Sequence, residues 1–117
     1  MEARAVAKWV RCSPRKLRRQ ADMVRGRPLP DVRAILQLST SPAARRVLRV
    51  VDSAAANAEN NYGLEPDELV LKHIAVDKAL RFPPRARPRA RGRVDLRHKQ
   101  TSHITVVLSD EEDEEES

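Results

Sequence analysis

Residues 68–108 read ELVLKHIAVDKALRFPPRARPRARGRVDLRHKQTSHITVVL, and the order of compositions within this stretch decides the fold. Glu68 to Asp77 and Thr101 to Leu108 are rich in β-branched and other strand-forming residues. Between them RFPPRARPRARGR (81–93) has arginine at every second position from Arg85 to Arg93, with no acid in the run. In an extended backbone, alternate side chains share a side, so five guanidinium groups would stand on one face, about 7 Å apart. A helix would scatter them, and Pro83, Pro84 and Pro88 exclude one. The run has almost nothing apolar to bury and its charges repel. Two strands joined by such a segment make a long protruding β-hairpin, with its arm at about residues 78–100.

An arm of this kind needs a dense polyanion as its partner, and single-stranded or folded RNA supplies phosphates on a comparable spacing. The plain alternative is a disordered basic linker. Framing by two strands rather than by Gly/Ser tracts favours RNA. The register at the hairpin roots bears on how the arginines align. Val70, Ile74 and Val76 are even-numbered, as are Ile104, Val106 and Leu108. If both sets face a core, paired positions sum to an even number and the loop holds an odd number of residues. Arg81, Arg85 and Arg87 then share an outward face with Arg91, Arg93, Arg97 and Lys99, unless a bulge near Pro83-Pro84 or Gly92 divides them.

Charge elsewhere agrees with this reading. The net +6 conceals a division, because seven of the 17 acids lie in DEEDEEE (110–116). Residues 1–109 therefore carry 23 basic residues against 10 acids, an excess that points to nucleic acid. Residues 1–109 are expected to form a single domain and 110–117 an acidic disordered tail. Arginine outnumbers lysine 18 to 5, which favours two-pronged phosphate contacts over diffuse attraction. A membrane surface fits less well, since the run has one aromatic, Phe82, and no apolar stripe. The single cysteine, Cys12, excludes an intrachain disulfide and has no neighbouring ligands for a metal. No signal peptide or membrane span is evident, so a cytoplasmic setting is expected.

Upstream of residue 68 the chain reads as one short strand and three helices. ARAVAKWVR (3–11) is the strand. Ser13 is an N-cap candidate and Pro14 suits the first helical position, with Leu17, Ala21 and Val24 on one face. Gly26 offers a left-handed stop and Pro28 bars continuation. A second helix is expected over Asp31–Leu38, with Val32, Ile35, Leu36 and Leu38 inward. Ser41-Pro42 repeats the start signal. Behind it Ala44, Val47, Leu48, Val51, Ala54, Ala55 and Ala58 mark the clearest amphipathic helix, with Arg45, Arg46, Arg49 and Asp52 outside, ending near NNYG (60–63). The sum is an α+β fold: a small antiparallel sheet packed with three helices, carrying a long protruding β-hairpin.

Three blocks, WVRCSPRKLR, SAAANAENNYGL and PRARGR followed by TSHITVVL, resemble the bacterial large-subunit ribosomal protein family numbered twenty-two. The resemblance runs in order from about Ala3 to Leu108. It implies a non-enzymatic structural protein of the large ribosomal subunit that binds large-subunit rRNA early in assembly. It also implies a hairpin tip that lines the nascent-peptide exit tunnel. Expected partners are the large-subunit rRNA, neighbouring proteins including protein four at the tunnel constriction, and the nascent peptide passing the tip. No cofactor, metal or catalytic residue is expected. Carried onto this chain, the RNA-binding set begins with Lys8, Arg11, Ser13, Arg15, Lys16, Arg18 and Arg19. Asn57, Asn60 and Asn61 follow at a helix end. The arm adds Arg81, Arg85, Arg87, Arg89, Arg91, Arg93, Arg97, His98 and Lys99, and the returning strand adds Thr101, Ser102 and His103. Arg87, Pro88, Arg89, Ala90, Arg91 and Gly92 would form the tunnel tip.

The chain departs from the family pattern in places. Lys78, Ala79 and Leu80 follow Val76-Asp77 where Gly-Pro is usual, Pro83-Pro84 is unfamiliar, and the acidic tail is an addition. A reading from another class remains: a free-standing arginine-rich RNA chaperone or regulator. Ser, His and acids are present, but no spacing suggests nucleophilic catalysis.

Overall fold

The computed structural model describes residues 1–81, 85–88, 94–97 and 100–110, with side chains described up to residue 79 and from residue 100. Strand β1 (Glu2–Val10) is followed by helices α1 (Pro14–Val24), α2 (Leu29–Leu38) and α3 (Pro42–Tyr62) and a 3₁₀ turn (Pro66–Glu68). Strands β2 (Val70–Arg81), β3 (Arg85–Pro88), β4 (Val94–Arg97) and β5 (Gln100–Ser109) complete the fold. The α+β architecture expected from the pattern is present.

β5 is the central strand of an antiparallel sheet ordered β1-β5-β2. Its period-two pattern explains why. Ser102, Ile104, Val106 and Leu108 alternate onto the helix side and are all buried, whereas His103, Thr105 and Val107 on the other side are only half-buried. The three helices cover one face, α3 over β1 and β5 and α1 over β2. Where α3 crosses β1, both surfaces are built of alanine. Ala54, Ala55 and Ala58 of the helix and Ala3 and Ala5 of the strand are buried, and such small side chains let the two backbones approach closely. The alanines that weaken β1 as a strand by propensity are therefore what its place under α3 requires.

Helices α1 and α3 are each followed closely by a glycine in the left-handed region. Gly26 and Gly63 both have positive φ, +81° and +67°. Gly63 closes α3 by donating its N–H to the carbonyls of Ala58 and Glu59. A Cβ at Gly63 meets nothing within 4 Å, so its cost is purely conformational. Gly63→Ala is expected to lower stability by about 1 kcal/mol, read as a shifted urea midpoint at unchanged slope.

The hairpin roots pair with an even sum as anticipated, Ile74 with Val106 and Val76 with Ile104. A register shift between Leu71 and His73 changes the outermost position, however. Leu71, paired with Leu108, is buried there, and Val70, expected inward, is half-buried. A bulge adds one residue and so exchanges the faces beyond it. A second shift lies between Lys78 and Arg81, after which Arg81 pairs with Gln100. β3 and β4 then form their own two-stranded ladder, Arg85 opposite Arg97, Arg87 opposite Asp95 and Pro88 opposite Val94. Arg81 and Gln100 sum to an odd number, so the even-sum register expected from the roots does not hold at the base of the arm. The pairs within β3 and β4 sum to an even number again, with five positions between Pro88 and Val94.

Three local expectations are corrected. α2 begins at Leu29, two residues before Asp31, because Pro30 lies in its first turn, where its missing N–H costs nothing. Leu38, expected inward, is 84% exposed, since α2 ends there and Leu36 already fills the core position. Ser13 stands at the N-cap of α1, but its hydroxyl makes no capping bond, in contrast to Ser41, whose Oγ accepts the Ala43 N–H at 3.2 Å.

Candidate nucleic-acid interface

The starts of α1 and α3 converge on one end of the body, and a cleft of about 650 Å³ opens between them. Lys16, Arg19 and Gln20 of α1 form one wall, Ser41, Ala43 and Arg46 of α3 the other. Arg11 and Gln100 also line it, from the turn after β1 and the first residue of β5. No carboxylate lines this cleft among the described residues.

The local sequence makes the cleft electropositive twice over. The amino end of a helix carries partial positive charge, which Asp or Glu in the first turn normally offsets. α2 follows that rule with Asp31, whereas α1 and α3 have no acid in the first turn. α1 instead places Arg15 and Lys16 there, and α3 places Arg45 and Arg46 within its first turns. Cations at the positive end of a helix are unfavourable unless an outside anion completes the arrangement. A helix start with unpaired N–H groups is a ready anion site.

The arm leaves the body at this same end. Gln100 lies both in the cleft wall and opposite Arg81 at the base of the arm, and its side-chain amide donates to the Ala79 carbonyl at 2.9 Å. The chain's acidic run begins at the far end, where Asp110 accepts a hydrogen bond from the Met1 ammonium at 3.1 Å.

The predicted contact residues fall into distinct groups. Arg11, Ser13, Lys16 and Arg19 gather at the cleft, and Arg15 is exposed on the first turn beside them. Arg18 serves another purpose. Its Nε and Nη2 donate to the Val76 carbonyl at 3.1 and 3.0 Å, tying α1 to β2, as Arg25 does through the Ile74 carbonyl at 2.9 Å. Lys8 is exposed on β1, on the side of the sheet away from the helices. Asn60 and Asn61 are exposed in the last turn of α3, on the order of 20 Å along the helix from Arg46. Asn57 donates to the Arg4 carbonyl at 3.0 Å and holds α3 against β1.

Two residues of the returning strand turn out to be buried. Thr101 is 2% exposed and Ser102 fully buried, with Ser102 Oγ donating to the Cys12 carbonyl at 2.8 Å, so both serve the interior. Ser102 stands between Val10 of β1 and Lys78 of β2, and no local signal in the sequence announces that covering. His103 accepts the Trp9 backbone N–H at its Nδ1, 3.2 Å away, and meets the Trp9 ring edge-on at 4.7 Å. Trp9 sits at φ +61° where β1 is irregular, and it is 57% exposed. For Arg81, Arg85, Arg87, Pro88 and Arg97 the structure describes backbone pairing only; Arg89, Ala90, Arg91, Gly92, Arg93, His98, Lys99 and tail residues 111–117 lie outside the described residues.

Arg46, Gln20 and Ser41 were missed from the sequence. One signal pointed to the first and last: Ser41-Pro42 followed by Arg45-Arg46 repeats the Ser-Pro-then-basic order of Ser13 to Lys16. No group of three or more metal-ligating side chains occurs among the described residues.

The family model for ribosomal protein L22p/L17e matches residues 5–109. The chain belongs to this family. The large ribosomal subunit protein uL22 of Roseiflexus castenholzii is 49% identical over 113 residues, covering 97% of this chain and 99% of that protein. Its counterpart in Pelotomaculum thermopropionicum is also 49% identical over 113 residues, with the same coverage. That of Thermomicrobium roseum is 48% identical over 110 residues, covering 94% of this chain and 92% of the relative. The L22p/L17e family is structural and non-enzymatic, and this chain is a ribosomal component. None of the helices among the described residues is long and apolar enough to cross a membrane.

Proposed function

We propose that this L22p/L17e protein binds large-subunit rRNA, supports large-subunit assembly, and lines the nascent-peptide exit tunnel with residues 87–92. The observation that carries the reading is the shared end of the molecule. Two helix starts bearing cations in place of acids open beside the base of the arginine arm. A single polyanion running past the cleft and along the arm would meet both. Arginines neutralise closely spaced phosphates, and the arm fixes separate rRNA segments relative to one another. The tip narrows the tunnel opposite protein four, and the nascent peptide passes it.

Burial of Ser102 and the bonds of Arg18 and Asn57 stiffen the body against which the arm is held. The rRNA therefore meets a preformed surface at the cleft end. Sedimentation of cell extract through a high-salt wash tests the reading. Co-migration with large subunits is expected. Release into the soluble fraction would instead support an unattached RNA chaperone.

A further inference from the structure

Among the described residues, Gln20 is the one side chain in the cleft with a buried polar atom left unpaired. It lies on α1 with only 6% of its surface exposed, and its Oε1 is buried without a hydrogen-bond partner. Leaving such an acceptor unpaired is costly, and a donor that reached it through the cleft Gln20 lines would remove that cost. Ser13, Lys16 and Gln20 follow each other at steps of three and four, which sets them on one stripe of α1 facing the cleft. The stripe orders the chemistry: a helix start and a cation at the mouth, then a buried acceptor one turn, about 5.4 Å, further along.

We infer that the cleft takes a single ribonucleotide of the bound RNA, its phosphate at the two helix starts and its ribose 2′-hydroxyl donating to Gln20 Oε1. The phosphate is favoured by Lys16, Arg19 and Arg46 together with the first-turn N–H groups of α1, which Ser13 leaves uncapped. The acceptor calls for a neutral donor next to that phosphate. On a nucleotide the 2′-hydroxyl neighbours the 3′-phosphate, while the base amines lie across the sugar. That hydroxyl is also the group that separates RNA from DNA. The inference rests on the rRNA-binding reading above and adds to it a site that senses the sugar.

The test uses the full chain, isotopically labelled, titrated by NMR with inorganic phosphate, uridine 3′-monophosphate and its 2′-deoxy counterpart. All three should move the backbone amides of Arg15 and Lys16. Only the ribonucleotide should move the Gln20 side-chain amide, and it should bind about tenfold more tightly than the deoxynucleotide. Gln20→Met keeps the side-chain volume and removes the acceptor. It should bring the two nucleotides to equal affinity while leaving the melting temperature unchanged or raised, since it deletes an unpaired buried polar atom. Equal affinities in the unmodified chain, or a Gln20 signal that phosphate alone moves as far, would overturn the inference. If that happened while the protein still co-migrated with large subunits, only the sugar-sensing role would fall. Loss of co-migration would count against the underlying rRNA reading.

Discussion

Replacing Arg85, Arg87, Arg89 and Arg91 together by alanine is expected to weaken binding to large-subunit rRNA by roughly a hundred- to a thousandfold at physiological salt. The magnitude follows from counterion release. Each phosphate that the protein no longer neutralises lowers the slope of log K against log salt by about 0.7–0.9, so four of them remove about three. The body should be untouched, because the apolar core draws on the helices and the three-stranded sheet. Filter binding across a salt series reads the slope, and circular dichroism melting reads the fold. A variant with its melting temperature preserved and its salt slope unchanged would show that the arginines do not meet phosphates. Lysine replacements at the same positions should recover most of the slope and less of the affinity, since the ammonium keeps the charge and loses the two-pronged geometry.

The largest expected effect on stability is at Ile104. It sits at the middle of the central strand, between Ala7 of β1 and Val76 of β2, and is fully buried. Ile104→Ala removes three carbons from a site hemmed in on both sides by paired strands and above by the helices, so the surroundings cannot collapse into the space. A cost of about 2–5 kcal/mol is expected. A domain of this size loses roughly 4–8 °C of melting temperature per kcal/mol, so the drop should exceed about 8 °C by calorimetry. A change of under about 1 kcal/mol would mean that β5 does not carry the centre of the core. Ile35→Ala offers the comparison, because that side chain is only partly buried on α2 and should cost distinctly less.

Much of this architecture is legible locally. Helix α3 declares itself by apolar residues at three- and four-residue steps, by Ser41-Pro42 at its start and by Gly63 at its end. β5 declares itself by its run of β-branched residues, Ile104 to Val107. Even the pairing of Ile74 with Val106 and of Val76 with Ile104 follows the parity counted from two segments. Bulges are harder to foresee. The shifts lie at Leu71/His73 and Lys78/Arg81, and no single residue announces them. Parity alone therefore puts Val70 on the wrong side.

The candidate site is legible in its charges and not in its shape. That α1 begins with Pro14, Arg15 and Lys16 is plain to read, and so is the basic excess of residues 1–109. That Arg18 would be spent on a β2 carbonyl, Asn57 on β1 and Ser102 on the turn at Cys12 could not be read, because each partner lies more than fifty residues away. Gln20 shows the same division from the other side. By its step from Leu17 and Ala21 it reads as a helix residue near the buried stripe, and nothing nearby in sequence says that its oxygen would lack a partner.

By itself the sequence determined the element types, the three-helix and sheet composition, the arginine arm and the likeness to a ribosomal family, since all of these rest on local periodicity, capping chemistry and charge. The tertiary structure alone decided which cations gather at the cleft and which are tied to the fold. It also decided that the starts of α1 and α3 meet beside the base of the arm. The reason is physical: helix starts roughly thirty residues apart become neighbours only when both helices are laid on one sheet, and the burial that lays them there is a property of the whole core.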